Sequence, residues 1–521
     1  MLISFPVGGV LLAVSICLSG AFFVYGFNTL HLTIRARRYR PSRAGPMLDR
    51  PTVAVHLPIY NELYVVGRLL AVCVVLAETY GRDLVKVYVI DDSTDETSSV
   101  IDGLVAEYRA KGLGFEVIRR GSRSGFKAGA LQAALNATKE KYVAVLDADF
   151  VPPPDFLDRS IPLLEQDQTV GFVQSRWGHL DRHYNTVTES LAIGVDAHFL
   201  LEQRGRNGSG YLMNFNGSAG VLRAEAIREA GGWAADTLAE DLDLSYRLQL
   251  TSYRGVYLND LEVPGELPPT IASLKRQQGR WARGSLQTAK KLFSQIASSK
   301  RLSLGQKTQA AVHLTYYLVH PLMIASFLIA VAADFLSIDV IKYSVNITIP
   351  SVVQGSSSIG LVMVGLQVAP WVVFSILIAM STFAVLFYCV EAVRVQKLGI
   401  LENAKKIILL VILGYGISIS NSVQALSGLF SSETGTFSRT PKYAISRSGE
   451  TWQDKKYQLS LNTTTALEAG AVVLASTASV WALITKNLGI LPILLVYLTG
   501  YSFVLYLTLR EKIGSGGRLD A

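Results

Sequence analysis

The chain has 521 residues, of which half are hydrophobic and only 17% are charged, with a net charge of +8. A soluble domain typically carries about 25% charge, so the composition excludes an ordinary soluble protein and points to one that lives in a membrane. Cys17, Cys73 and Cys389 stand too far apart for a disulfide framework or a cysteine metal knuckle.

Residues 3–27 form an apolar run long enough to cross a bilayer, which needs about 20 residues. No basic segment precedes it, and Arg35, Arg37, Arg38 and Arg40 follow it. It therefore reads as an anchor rather than a cleaved leader. The positive-inside rule puts the N-terminus outside and residue 35 onward in the cytoplasm. A second basic cluster, Lys290, Lys291, Lys300 and Arg301, borders the next apolar run. Both clusters flank apolar runs, and no basic face with interleaved aromatics accompanies them. No nucleic-acid partner is expected.

Most of the charge lies between about residue 35 and residue 305. There TVAVHLP (52–58) reads as a buried strand, followed by a helical stretch to about residue 80 and the strand VKVYVID (85–91). Another helix, the strand FEVIRR (115–120), a helix over about 127–140 and the strand YVAVLDAD (142–149) follow. Strands alternating with helices imply a doubly wound, mostly parallel sheet, Rossmann-like in type. Ligands of such sheets sit at the carboxyl ends of the strands.

Two of those ends carry paired acids. Asp147-Ala148-Asp149 presents two carboxylates that suit a hard divalent cation, Mg²⁺ or Mn²⁺, bridging a diphosphate. Asp91-Asp92-Ser93 alone is an ordinary turn or cap. The two pairs lie about 55 residues apart on strands of one sheet, which favours a shared site. Ala239-Glu240-Asp241-Leu242-Asp243 opens a helix. Asp241 is the candidate general base for an acceptor hydroxyl, while Glu240 or Asp243 suits the helix N-terminus. In Gln277-Gln278-Gly279-Arg280-Trp281, Arg280 can pair with a diphosphate, and Trp281 offers a sugar ring an aromatic face. An amphipathic juxtamembrane helix fits the same string.

Further apolar runs fall at about 310–334, 371–393, 407–430, 466–485 and 488–508, with 355–369 unassigned. The second half of 407–430 is amphipathic, with Ser418, Ser420, Asn421, Ser422 and Gln424. An interfacial course for it keeps the loop 431–465 cytoplasmic. The expected division is an anchor (1–34), a cytoplasmic α/β domain (35–305), an all-α membrane region (306–430), a cytoplasmic loop (431–465) and a C-terminal helix pair with a short tail (466–521).

The acidic motifs and QQGRW, in this order and spacing, resemble the processive family 2 glycosyltransferases, which include cellulose, chitin and hyaluronan synthases. LPIYNE (57–62), FKAGAL (126–131), VQSRW (173–177), NFNGSAGVLR (214–223) and QQGRWARG (277–284) are similar to the cellulose-synthase-like A and C type of mannan and glucan synthases and their microbial relatives. The likeness covers roughly 50–300 and, more loosely, the later helices.

The resemblance implies a GT-A fold and polymerisation of a UDP-glucose or GDP-mannose type donor onto a growing polysaccharide. It implies a divalent cofactor and a plasma-membrane location among lipid. Tyr60 and Glu62, with Asp91 or Asp92, would contact the nucleoside, and Lys127 the diphosphate or base. Asp147 would hold nucleotide and metal, Asp149 the metal, and Asp241 would be the base. Gln277, Arg280 and Trp281 would take the diphosphate and acceptor end, and Asn216 and Gly217 would border the acceptor sugar. Phe437-Ser438-Arg439-Thr440-Pro441-Lys442 resembles the gating loop of cellulose synthases, with Phe437, Thr440 and Lys442 on its pattern. One base with direct displacement implies inversion. The first acid motif reads DDS rather than DDG and the third AED rather than TED, and both keep their carboxylates. Transfer of one sugar to a lipid, and a transporter with a nucleotide-sensing domain, are the competing readings.

Overall fold

The computed structural model describes residues 4–45, 47, 49–337, 345–354, 359–368, 370–437, 439–445, 450–452, 455 and 464–514. Its soluble part is built on seven strands: β1 (Val53–Ile59), β2 (Val85–Asp91), β3 (Gly114–Ile118), β4 (Tyr142–Val145), β5 (Val170–His179), β6 (Gly220–Arg223) and β7 (Arg254–Gly265). Their order is β3-β2-β1-β4-β6-β5-β7. Neighbours run parallel except around β6, which is antiparallel to both β4 and β5. The four strands read from the sequence form the parallel half.

Helices cover both faces of that half, which is why its strands read as continuous apolar runs. Val53, Val55 and Leu57 of β1 pack with the helix Val66–Tyr80, while Ala54, Tyr88 and Val143 pack with the helix Phe126–Ala137. Each fully buried Val or Leu contributes on the order of 1.5–3 kcal/mol. His56 is the polar exception in β1. It is fully buried against Thr138 Oγ1 at 2.7 Å, and burial pushes its imidazole down to about 3, so it stays neutral.

Strand β4 ends before the acids that were expected to close it. Leu146 N–H still bonds His56 O, but Asp147 N–H bonds the Ser218 hydroxyl at 2.9 Å instead of a neighbouring strand. The chain leaves the ladder there and lifts Asp147 and Asp149 above the sheet edge.

A 28-residue amphipathic helix, Ile271–Ser298, follows the sheet. Thr270 caps it, and Glu511 accepts from the N–H groups of Ile271 and Ala272 at 2.7 and 3.2 Å. Its glycines let neighbours come close. A Cβ on Gly284 would lie 2.6 Å from Ala239 N.

Among the described residues, five helices are long and apolar enough to cross a membrane: Val7–Ala36, Tyr316–Phe335, Val372–Val395, Thr464–Ile484 and Leu491–Ile513. The expected run 310–334 is split. A helix over Leu304–Leu314 ends before a 3₁₀ turn, Tyr316–Leu318, and a new helix starts at Val319. Pro321, in its first turn, lacks the N–H that a continuous helix needs. The run 407–430 belongs to a bent pair, Ile400–Gly416 and Ser418–Phe430, that meets at 51°. Its second half lies on the amphipathic helix, where a Cβ on Gly428 would sit 2.4 Å from Arg283 O. The helical region is interrupted by an antiparallel hairpin, Val345–Gln354 with Ile359–Val368. The unassigned segment supplies its second strand, and its β-branched first strand suits a sheet.

Candidate active site

The carboxyl ends of β1, β2 and β4, the loop before β6, the end of β7 and the amphipathic helix enclose one cleft of about 1190 Å³, counting its open mouth. Tyr60, Glu62, Asp92, Lys127, Asp147, Asp149, Asn216, Asp241, Gln277, Arg280, Trp281, Phe437, Thr440 and Lys442 all line it. Residues up to 382 positions apart in sequence are thus gathered at the sheet edge where ligands of α/β folds bind.

The floor centres on Lys127. Its ammonium lies 2.7 Å from Asp147 Oδ1 and 3.5 Å from Glu240 Oε1, and donates to Gly217 O at 3.1 Å. Burial alone would lower its affinity for the proton, but the carboxylates of Asp147, Glu240 and Asp241 hold it well above the usual lysine value. Gly217, expected at the acceptor sugar, is buried and does not itself line the cleft; it touches the floor through the oxygen that accepts from Lys127. With φ at +81°, a Cβ there would lie 2.7 Å from Asp241 Oδ2. Burial, then the Glu240 carboxylate, push Asp241 up to about 7, against the pull of Lys127 and Arg280. A carboxylate so poised exchanges a proton near neutral pH.

The two acids at the end of β2, Asp91 its last residue and Asp92 the next, face opposite ways. Asp91 is 3% exposed and does not line the cleft. It takes hydrogen bonds from Arg119 Nε (2.9 Å), Ser98 Oγ (2.7 Å) and Ser93 N–H (3.0 Å). Asp92 points into the cleft with Arg120 on both of its oxygens. Two successive arginines after β3 thus take the two successive aspartates at the end of β2, one on each face of the sheet. At the same end of the cleft, the Arg123 guanidinium stacks 3.4 Å above the Tyr60 ring.

Gln277, Arg280 and Trp281 share one face of the amphipathic helix, as positions three and four apart do. Arg280 lies 4.7 Å from the Phe437 ring, and its Nε has no hydrogen-bond partner among the described residues. Phe437 stacks on Phe126 at 6.1 Å. Beyond it, Arg439 Nη1 lies 3.2 Å from Glu62 Oε1, and Lys442 Nζ lies 2.7 Å from Asp149 Oδ2. Burial holds Glu62 up at about 8 despite Arg439, with Asp149 and Glu266 adding to the rise. The segment 437–444 therefore straps across the cleft. Glu266 anchors its far end through the N–H groups of Tyr443 and Ala444, and Arg68 holds Glu266 at 2.6 Å.

A family model described as "Glycosyltransferase like family 2" matches residues 51–284. The chain is 37% identical over 263 residues to "Probable glucomannan 4-beta-mannosyltransferase 7" of Oryza sativa subsp. japonica, covering 50% of this chain and 45% of that one. It is 32% identical over 372 residues to "Probable glucomannan 4-beta-mannosyltransferase 15" of Arabidopsis thaliana, covering 68% of each. The chain belongs to the cellulose-synthase-like group of family 2 glycosyltransferases. It spans about half the length of most of the curated relatives it matches. Among solved structures it is similar to "Mannosyltransferase PcManGT from Pyrobaculum calidifontis in complex with GDP-Man and Mn2+", at 22% identity and a TM-score of 0.47, over 62% of this chain and 87% of that one.

Asp147 and Asp149 both line the cleft, and their carboxylate oxygens are of the type that a divalent cation takes. Among the described residues no group of three or more His, Cys, Asp or Glu side chains is arranged to hold a metal ion, so an ion at Asp147 and Asp149 would complete its shell from a bound diphosphate. The donor set fits. Both acids offer hard oxygens, and the Lys442 ammonium already places a cation 2.7 Å from Asp149. Several cleft residues escaped the sequence reading: Arg123, Phe126, Trp177, His179 and Glu266. FKAGAL and VQSRW contain two of them. Glu266 follows β7, a strand whose length shows only once its pairing with β5 is known.

Proposed function

We propose that this chain is an inverting membrane glycosyltransferase that extends a β-linked polysaccharide from a nucleotide sugar. The observation that carries the reading is Asp241. A carboxylate raised to about 7 sits against the Gly217 backbone and beside Lys127, in a cleft that also holds Asp147 and Arg280. The glucomannan mannosyltransferase names of its relatives favour a GDP-mannose type donor over UDP-glucose.

In this mechanism Tyr60, Glu62 and Asp92 border the nucleoside, and Arg280 and Lys127 meet the diphosphate. Asn216, Gly217, Gln277 and Trp281 border the acceptor end. Asp241 takes the proton of the acceptor hydroxyl, whose oxygen attacks the anomeric carbon from the face opposite the leaving group. The bond to the nucleoside diphosphate breaks, and an α-linked donor yields a β-linkage. A divalent cation held by Asp147 and Asp149 would neutralise charge on the leaving diphosphate. Phe437, Thr440 and Lys442 close over the donor and exclude water, which favours transfer over hydrolysis.

In this reading the basic clusters that flank the apolar runs put the catalytic domain in the cytoplasm of a plasma-membrane protein, and the contacts bear on which segments share its side. The strap meets the cleft, so an even number of crossings separates residue 305 from residue 437. Two spans, Tyr316–Phe335 and Val372–Val395, supply it, and the bent pair adds no net crossing. Asn487, between the last two spans, bonds Asp334 at 3.2 Å on the far side. Glu511 returns to the near side at Ile271.

The test is turnover by the detergent-solubilised chain, with Mg²⁺ or Mn²⁺ and radiolabelled GDP-mannose or UDP-glucose, followed by product sizing. A long product sensitive to a β-glycanase supports the proposal and names the sugar. One sugar on co-purified lipid, or no transfer from either donor, overturns it.

A further inference from the structure

The segment His198–Gln203 is a π-helix, a rare form that recurs at functional sites. Its i→i+5 register brings His198 and Gln203 to one face, and both reach Asn216, which lines the cleft. Gln203 Nε2 donates to Asn214 O at 2.9 Å and to Asn216 Oδ1 at 2.7 Å. His198 Nε2 lies 3.3 Å from Asn216 Nδ2, and His198 Nδ1 lies 3.0 Å from Glu202 Oε2. Arg206, 1% exposed, holds Glu202 Oε1 at 2.9 Å.

These contacts decide the direction of every hydrogen bond in the chain. The backbone carbonyl of Asn214 can only accept, so Gln203 presents its amide hydrogens on that side. Asn216 must then offer its oxygen to Gln203 and its NH₂ to His198. His198 Nε2 accepts, so its proton sits on Nδ1 and is donated to the Glu202 carboxylate. Arg206 holds that carboxylate charged. Burial would raise it, but Arg206 and then His198 keep Glu202 far below the usual carboxylate value. Asn216 is thereby locked in one rotamer and one flip, with its second amide hydrogen left over.

We infer that His198, Gln203, Glu202 and Arg206 form a positioning array that aims the Asn216 amide at a hydroxyl of the acceptor sugar. The inference rests on the acceptor role proposed for Asn216. His198 and Glu202 are positioning residues that act through Asn216. Gln174 fixes the same loop from the other side, accepting from Asn216 N–H at 2.8 Å, so the side chain can lose its support without the backbone moving.

The test is the partition of donor sugar between glycan and water, measured with the full chain and GDP-mannose, then UDP-glucose, alongside binding of the nucleoside diphosphate. His198→Phe keeps a ring but neither hydrogen bond. It is expected to shift the partition toward water roughly tenfold, the worth of one hydrogen bond, because transfer falls while hydrolysis and nucleotide binding hold. His198→Gln, which retains an acceptor and a donor, should recover most of the loss. An unchanged partition in His198→Phe overturns the array. So does a parallel fall of transfer, hydrolysis and nucleotide binding, which marks a merely structural histidine. If wild-type protein puts no sugar on glycan from either donor, the acceptor reading of Asn216 fails and the array falls with it. A working wild type with an unaffected variant sinks the array alone.

Discussion

Gly217→Ala separates the geometry of the base from the binding of the donor. Gly217 sits at φ +81°, and a Cβ there would lie 2.7 Å from Asp241 Oδ2, where ordinary contact begins at 3.4 Å. The carboxylate or the loop must give way by about 0.7 Å. The left-handed backbone adds roughly 1–2 kcal/mol of strain for a residue with a side chain. A misplacement near 1 Å in a catalytic group costs on the order of 10²-fold in rate. Lys127 Nζ, at 3.3 Å from the same Cβ, is the far end of a flexible chain and can adjust. We therefore expect donor turnover to fall about 100-fold, nucleotide affinity to stay within about threefold, and thermal stability to drop by a few degrees. Turnover is read as nucleoside diphosphate release, and affinity by calorimetry. Wild-type turnover, or equal losses of turnover and nucleotide binding, would refute the placement of Asp241 against this loop.

Three other outcomes follow from the same contacts. Lys442→Met leaves Asp149 buried without its cation, a loss of about 3–5 kcal/mol for a broken buried pair. Hydrogen exchange in the strap, 439–445, should then rise by more than about 100-fold, and unchanged protection would show that the pair does not hold it. Lys275 pairs with Glu468 at 2.6 Å, with side chains 7% and 1% exposed. Lys275→Met alone should lower the melting temperature more than Lys275→Met with Glu468→Leu, since the double variant strands no charge. Asp241 is raised to about 7, so if it is the proposed base, kcat/KM for the donor should climb with pH through about 7 and fall about tenfold per unit below it. A flat profile between pH 5 and 8 would exclude it as the titrating base.

Much of the parallel half of the sheet was legible because its strands are buried on both faces and read as plain apolar runs. The second half was not. β5 carries Gln174 and Ser175, which are buried only because the carbonyls of Ser218 and Ala219 accept from them. Those partners sit more than 40 positions away, beyond the reach of local periodicity. Asp91 and Asp92 look equivalent in sequence. Their difference comes from Arg119 and Arg120, one strand over, which divide them between opposite faces. The strap string at 437–442 was readable by resemblance, but its anchor on Glu266 was not, because that contact spans 177 positions. The break at Ile417 was foreshadowed by the polar second half of its run. The π-helix leaves no mark in composition, since His198–Gln203 reads as an ordinary amphipathic turn.

The central claim is that Asp241 deprotonates the acceptor, and Asp241→Asn tests it most directly. The asparagine keeps the shape and removes the base. Transfer should fall by roughly 10²–10⁴-fold while the nucleoside diphosphate still binds with near wild-type affinity. Transfer at the wild-type rate, or loss of nucleotide binding along with it, would contradict the account and leave Asp241 a structural residue.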